Sequence, residues 1–207
     1  MNVTALIMAG GKGKRLDLPG EKPLVNILGK PMVQYVIGTL QKSKKVNKII
    51  TVTTKNTRKT CTSLKRLSTK VVEAPGESYI SDIHYVTKKL KLNSALLTVS
   101  ADLPCITREI VDKILSEFRG CCKPALCTVI SASLYSKTVS KLNNTFIHQR
   151  KRVAPVGVNV IQSDRIDESR IDEAVFMLAP DLVKFVINVN TKKDLMIATR
   201  FLKSKLV

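Results

Sequence analysis

The feature that most restricts the fold is an apolar run, Val3 to Met8, that feeds directly into Ala9-Gly-Gly-Lys-Gly-Lys-Arg15. A short apolar run bounded by glycines predicts a buried strand. Gly10, Gly11 and Gly13 then allow backbone conformations that side chains forbid, so amides from Ala9 onward can converge on an anion. Lys12, Lys14 and Arg15 add fixed positive charge beside those amides, and Lys22 follows seven residues after Arg15, stiffened by Pro23. A strand, a nest of amides and spaced cations together suit a triphosphate.

Two familiar phosphate loops fail against this stretch. The Walker pattern ends in Gly-Lys-Ser or Gly-Lys-Thr, and neither tripeptide occurs in the chain. The dinucleotide fingerprint needs a third glycine at position 16, which is Leu16. What fits is Leu-x-x-Ala-Gly-Gly-x-Gly-x-Arg followed by Lys-Pro, which resembles the signature of nucleotidyltransferases.

Apolar periodicity organises the rest. Pro31 opens a helix with Met32, Val33, Val36, Ile37 and Leu40 on one face, and Thr107 one with Ile110, Val111, Ile114, Leu115 and Phe118, closed by Gly120. A weaker helix is predicted over 57–67. Ser78 caps a further helix that carries Ile80, Ile83, Val86 and Leu90 inward, and Thr191 with Asp194 starts the last. Strands are predicted over 48–54, 71–72, 94–100, 125–130, 156–161 and 185–188, and a short helix over 170–178. Residues 132–152, with Asn143-Asn144 as a turn, read as a polar excursion from a single domain. Alternating strands and helices give an α/β, doubly wound, mostly parallel sheet with its site at the strands' carboxyl ends.

Several residues fall at those ends. Asp102, in Ala101-Asp-Leu-Pro104, is placed to hold the Mg2+ that accompanies a nucleoside triphosphate. Asn188 and Asn190 offer uncharged oxygen ligands or phosphate-contacting amides. Gly157, in Pro155-Val-Gly-Val-Asn159, would let a bulky ligand lie against the backbone. Tyr79 and Asp82 also fit a helix with one polar and one apolar face.

The chain carries a net charge of +19, and residues 1–70 hold 15 Lys/Arg against 2 acids. No acid occurs from Lys22 through Val72, a field that attracts nucleotides, nucleic acid or an anionic membrane surface. The absence of an aromatic-rich stacking face or a zinc pattern argues against a nucleic-acid module. Lys42, Lys44, Lys45 and Lys48, if they stand on the rim of the site, would steer an anionic acceptor toward it. Five cysteines without a Cys-x-x-Cys pair, and two histidines, fit reduced thiols rather than zinc. With no membrane-length apolar run, a soluble cytoplasmic protein is expected.

Taken in order, Ala5 to Gly13 with Arg15, Glu21-Lys-Pro-Leu24, Gly76 with Tyr79, Ile80 and Asp82, Val99 to Leu103, Val153 to Val160 and Ile187 to Leu195 resemble the archaeal-type adenosylcobinamide-phosphate guanylyltransferases. These are relatives of the molybdenum-cofactor guanylyltransferases, which usually carry Arg-Met-Gly where this chain has Arg15-Leu-Asp17. The resemblance implies a Rossmann-like nucleoside-triphosphate transferase fold. It also implies reaction of GTP with a phosphorylated corrinoid, adenosylcobinamide phosphate, releasing pyrophosphate. For that reaction the charges place Lys22 at the α-phosphate and Arg15 and Lys14 at the pyrophosphate, while the resemblance alone assigns Gly76, Tyr79 and Asp82 to the nucleoside and Pro155, Gly157 and Asn159 to the corrinoid arm. A homodimer and a peripheral contact with anionic membrane are left open.

Overall fold

The computed structural model describes residues 1–66, 69–138, 144–168 and 171–205. The side chains of Lys14 and of residues 136–138, and the expectations resting on Leu67, Asn143 and Arg170, lie outside the described residues. The strands are β1 (Val3–Met8), β2 (Asn26–Ile27), β3 (Lys30–Pro31), β4 (Lys48–Thr54), β5 (Lys70–Ala74), β6 (Ala95–Ser100), β7 (Ala125–Ser131), β8 (Phe146–His148), β9 (Lys151–Gln162) and β10 (Glu173–Met177). The helices are α1 (Met32–Lys42), α2 (Arg58–Leu64), α3 (Tyr79–Lys89), α4 (Arg108–Gly120), α5 (Ala132–Thr138) and α6 (Lys192–Lys203).

The main sheet runs β10-β7-β9-β6-β1-β4-β5, with β8 paired to β9. β1 is parallel to β4 and β6, β4 to β5, and β7 to β10; β9 lies antiparallel between β6 and β7. The chain therefore builds outward from β1 to β4 and β5, then crosses back to lay β6 on the other side of β1. That reversal leaves a crevice at the carboxyl ends of β1 and β6, where open α/β sheets bind ligands.

Period-two alternation explains why both faces are covered. Ala5, Ile7, Leu97 and Val99 point into a core shared with Val33, Val36 and Leu40 of α1 and Ile110, Ile114 and Phe118 of α4. Leu6, Ile50, Val52 and Leu96 point the other way, against Ile83 and Val86 of α3. A third cluster joins Leu16, Ile27, Met32, Cys105, Val189 and Ala198, so α6 clamps the segment after the glycine loop.

Several local expectations need correction. Ile80 is 67 % exposed, and Asp82 occupies the buried face of α3 instead. Gly120 ends α4 in ordinary helical geometry, the positive φ falling at Cys122 (53°). Residues 173–177 form strand β10 rather than a helix, because the open edge of β7 offers Ala174, Val175 and Phe176 a ladder. Residues 185–188 are not a strand. A 3-10 turn covers Pro180–Phe185, and the buried Val186 and Ile187 that follow find partners outside the sheet. The stretch 132–152 contributes α5 and the β8–β9 hairpin, turned at Gln149 and Arg150 (φ 46° and 62°).

The four lysines expected on the rim are at the opposite end. Lys48 begins β4 and pairs with Thr4, whereas Thr54 ends it beside the glycine loop. Six residues of strand separate those ends by about 20 Å.

Candidate active site

The glycine loop leaves β1 and is held against the end of β4 by the Ala9 N–H, which donates to the Val52 carbonyl at 2.8 Å, and by Thr54. Thr54 Oγ1 donates to the Gly10 carbonyl at 2.8 Å, and a Cβ on Gly10 would overlap Thr54 Cγ2. A Cβ on Gly76, at φ 80°, would stand 2.9 Å from Thr54 Cβ. Thr54 thus packs the phosphate loop and the turn before α3 together, and both turns need glycine to approach it.

Glu21 sets the position of Lys22 from the other side. Its carboxylate accepts the backbone N–H groups of Lys59 (2.8 Å) and Thr60 (2.6 Å) and the Thr60 hydroxyl (2.6 Å), closing the first turn of α2. Burial pushes its carboxyl up, but the hydrogen bonds from Thr60 and Lys59 outweigh that and hold it below the usual range.

From there Lys22 reaches into the crevice. Its ammonium forms an ion pair with Asp102 Oδ2 and donates to Asn190 Oδ1 at 2.9 Å; the paired side chains are only 14 % and 18 % exposed. Arg15 donates to the same Asn190 oxygen at 3.0 Å. Asn188 Nδ2 donates to Asp102 Oδ1 at 3.0 Å, and the Val189 N–H donates to the Asp102 carbonyl at 2.9 Å. The Asp194 carboxylate accepts the N–H groups of Asn190 (3.1 Å) and Thr191 (2.9 Å), so the start of α6 fixes the Asn-Val-Asn segment.

These groups border a cavity of about 560 Å³, lined along one wall by Ala9, Gly10, Gly11, Lys12 and Gly13, with Arg15, Lys22, Asp102 and Asn190. Asn56, Gly76, Ser78, Tyr79 and Asp82 line it too. Asp82 Oδ1 accepts the Gly76 N–H at 2.8 Å, which ties α3 to the turn before it. Tyr79 is 40 % exposed on the cavity.

Pro155, Gly157 and Asn159 lie on β9 outside that lining. A Cβ on Gly157 (φ 78°) would meet Ser100 Oγ at 2.8 Å and Asn188 Nδ2 at 3.4 Å, so the chain's own side chains fill the space. Asn159 Oδ1 is buried without a hydrogen-bond partner among the described residues. Asn188 Oδ1 lies 2.6 Å from the Tyr135 hydroxyl and its Nδ2 faces Asp102, so in this structure it acts there as a donor. Thr54, Glu21's hold on α2 and Tyr135 were missed in the sequence, having no local pattern to mark them.

A cationic, amide-rich crevice with the Asp102 carboxylate beside Lys22 is suited to binding a triphosphate and offsetting charge as a phosphoryl bond changes. Residues 5–141 match the family model for the MobA-like NTP transferase domain. The chain belongs to that family. It is a nucleotidyltransferase. Adenosylcobinamide-phosphate guanylyltransferase of Methanocaldococcus jannaschii is 31 % identical over 96 % of this chain and 97 % of its own. A probable molybdenum cofactor guanylyltransferase of Thermococcus kodakarensis is 28 % identical over 91 % and 90 %. Among solved structures, CMP:2-keto-3-deoxy-manno-octonic acid synthetase complexed with CTP superposes with a TM-score of 0.73 at 16 % identity, covering 99 % of this chain and 98 % of that one. At that identity the likeness speaks for the fold. Among the described residues, no helix of this nucleotidyltransferase is long and apolar enough to cross a membrane.

Proposed function

We propose that the protein transfers the guanylyl group of GTP to adenosylcobinamide phosphate, giving adenosylcobinamide-GDP and pyrophosphate. The observation that carries this reading is the similarity to the Methanocaldococcus enzyme, which runs nearly from end to end of both chains.

The chemistry asks for little beyond positioning. The acceptor, a phosphate monoester, is largely dianionic at neutral pH, with a second pKa of about 6, and needs no strong base. One of its oxygens attacks the α-phosphorus while the bond to the bridging oxygen breaks and pyrophosphate departs. Two anions must be held in line while they repel one another. Lys22 leaves Asp102 for the α-phosphate, the N–H groups of Gly10 to Gly13 hold the triphosphate, and Arg15 with Lys12 meets the departing pyrophosphate.

The donor set fits a magnesium ion. Mg2+ usually keeps several waters and is held by one or two carboxylates together with substrate phosphates. Asp102 is one such carboxylate at the cavity, and no cluster of three or more acidic, His or Cys ligands occurs among the described residues. Asp102 Oδ2 would hold the ion once Lys22 moves to phosphate, and Asn190 would stay with Arg15. When bound, the ion would offset charge on the triphosphate oxygens.

Calorimetric binding of GTP, ATP, CTP and UTP to the purified protein tests the nucleotide. The reading expects GTP to bind at least about tenfold more tightly, or about 1.4 kcal/mol. A preference for CTP would reject it. The Thermococcus relative favours one second reading, GMP transfer to molybdopterin. Turnover with molybdopterin and not with adenosylcobinamide phosphate would decide for it.

A further inference from the structure

Behind Asp102 stands a side chain that the reaction scheme does not use. Tyr135, on α5, is only 5 % exposed. Its oxygen accepts the backbone N–H of Asn188 at 3.2 Å. Its hydroxyl lies 2.6 Å from Asn188 Oδ1 and 3.1 Å from the Val186 carbonyl. A phenol has one proton to give, and the shorter contact takes it.

That bond occupies the amide's acceptor and leaves Nδ2 to donate to Asp102 Oδ1 at 3.0 Å. The reverse orientation would set an amide oxygen against a carboxylate oxygen, two acceptors with no proton between them. Burial pushes the Tyr135 phenol well above its ordinary value. The Asn188 N–H pulls it down, and the charges of Asp102 and Asp194 raise it further, so the hydroxyl keeps its proton at any working pH. Gly157 backs the arrangement from β9, where a Cβ would stand 3.4 Å from the same Nδ2.

We propose that Tyr135 is a positioning residue for nucleotidyl transfer. Acting through Asn188, it fixes Oδ1 of Asp102 and so aims Oδ2 at the cavity, where Lys22 now sits and a divalent ion is to bind. The proposal rests on the reading of Asp102 as the carboxylate that meets the metal. Outer partners of this kind commonly change metal affinity or activity by about 10–100-fold.

The test uses Mn2+ as the probe, with the nucleoside triphosphate that the parent protein binds most tightly. Free Mn2+ is followed by electron paramagnetic resonance for the parent, Tyr135→Phe, Asn188→Ala, their double variant and Asp102→Asn. Tyr135→Phe keeps the ring and loses only the hydroxyl. It should weaken Mn2+ retention by about 10–100-fold and lower kcat more than it alters KM for the acceptor. Asn188→Ala should do the same, and the double variant should lose nothing further, because both changes cut one chain. Unchanged Mn2+ affinity in Tyr135→Phe, with or without a lower melting temperature, overturns the proposal, as do losses that add. If Asp102→Asn retains Mn2+ like the parent, the reading of Asp102 fails and takes the proposal with it. If Asp102→Asn loses Mn2+ and Tyr135→Phe does not, only the proposal fails.

Discussion

Lys22 and Asp102, 80 residues apart in the chain, form an ion pair at the mouth of the crevice between β1 and β6. Neither group is spent, since each has the charge a nucleotide complex requires. In the proposed complex, phosphate would compete for Lys22 and a metal ion for Asp102; until then the pair holds both side chains in place. Removing one partner of a shielded pair leaves the other charge uncompensated.

Lys22→Ala should therefore lower turnover by about 10²–10³ while changing nucleoside triphosphate affinity far less. In the proposed complex the charge would be aimed at the phosphoryl group that reacts, and the loop amides would hold most of the triphosphate. Steady-state kinetics beside calorimetry will separate the two effects. Near-normal turnover would remove Lys22 from the mechanism.

The two neighbouring glycines should fail in different ways. Gly10→Ala drives a Cβ into Thr54 Cγ2, an overpacking that costs about 1–3 kcal/mol and several degrees of melting temperature. Thr54→Ser deletes that methyl and keeps the hydroxyl bonded to the Gly10 carbonyl, so the Gly10→Ala/Thr54→Ser double variant should melt close to the parent. Gly11 has no heavy atom within 4 Å of an added Cβ. Gly11→Asp should fold and melt normally yet bind no nucleotide, because it puts a carboxylate into the anion nest. Retained binding would contradict the loop's assignment.

Glu21 gives a pH signature. Its folded carboxyl lies below the ordinary glutamate range, so its contribution is fully present above the unfolded value and is lost as pH falls through the folded one. Denaturant midpoints for the parent and Glu21→Gln should differ at neutral pH, and the gap should close as pH drops below 4.5. A gap that stays constant into acid would mean that the carboxylate's hold on Lys59 and Thr60 does not stabilise α2.

Where the basic charge sits matters more than how much there is. Lys42, Lys44, Lys45 and Lys48 gather at the amino ends of the parallel strands, and exposed Lys55, Arg58 and Lys59 stand at the site end. Changing the first set to Gln should leave kcat/KM for the acceptor within about twofold, since the screening length is near 8 Å at physiological ionic strength. Changing the second set to Gln should slow acceptor capture several-fold at low salt, with the difference fading as salt rises. The opposite ranking in a salt series would refute this map of the steering field.

Much of this was written locally in the chain. The buried faces of α1 and α4 match the periodicity residue for residue, because a helix declares its inner side every three or four positions. The glycine loop was legible because a positive φ at Gly13 and the close approach of Gly10 to Thr54 both demand glycine. What escaped notice joins distant residues. Thr54 meets Gly10 across 44 positions, Glu21 meets Thr60 across 39, and Tyr135 meets Asn188 across 53. No local pattern marks a threonine or a tyrosine for such a contact. The segment after Phe185 misled for a related reason. Val186 and Ile187 are as buried as strand residues, but their neighbours bond to Tyr135, Asp102 and Asp194 instead of a ladder.

The central claim is that this crevice moves GMP from GTP to a corrinoid phosphate. Its most direct test is to incubate the purified protein with Mg2+, adenosylcobinamide phosphate and GTP labelled at the α-phosphate, and to follow the label and the pyrophosphate together. The account predicts label in adenosylcobinamide-GDP, with one pyrophosphate released for each product formed. Label that stays in GTP, or appears in GMP or GDP without pyrophosphate matched to product, would contradict it.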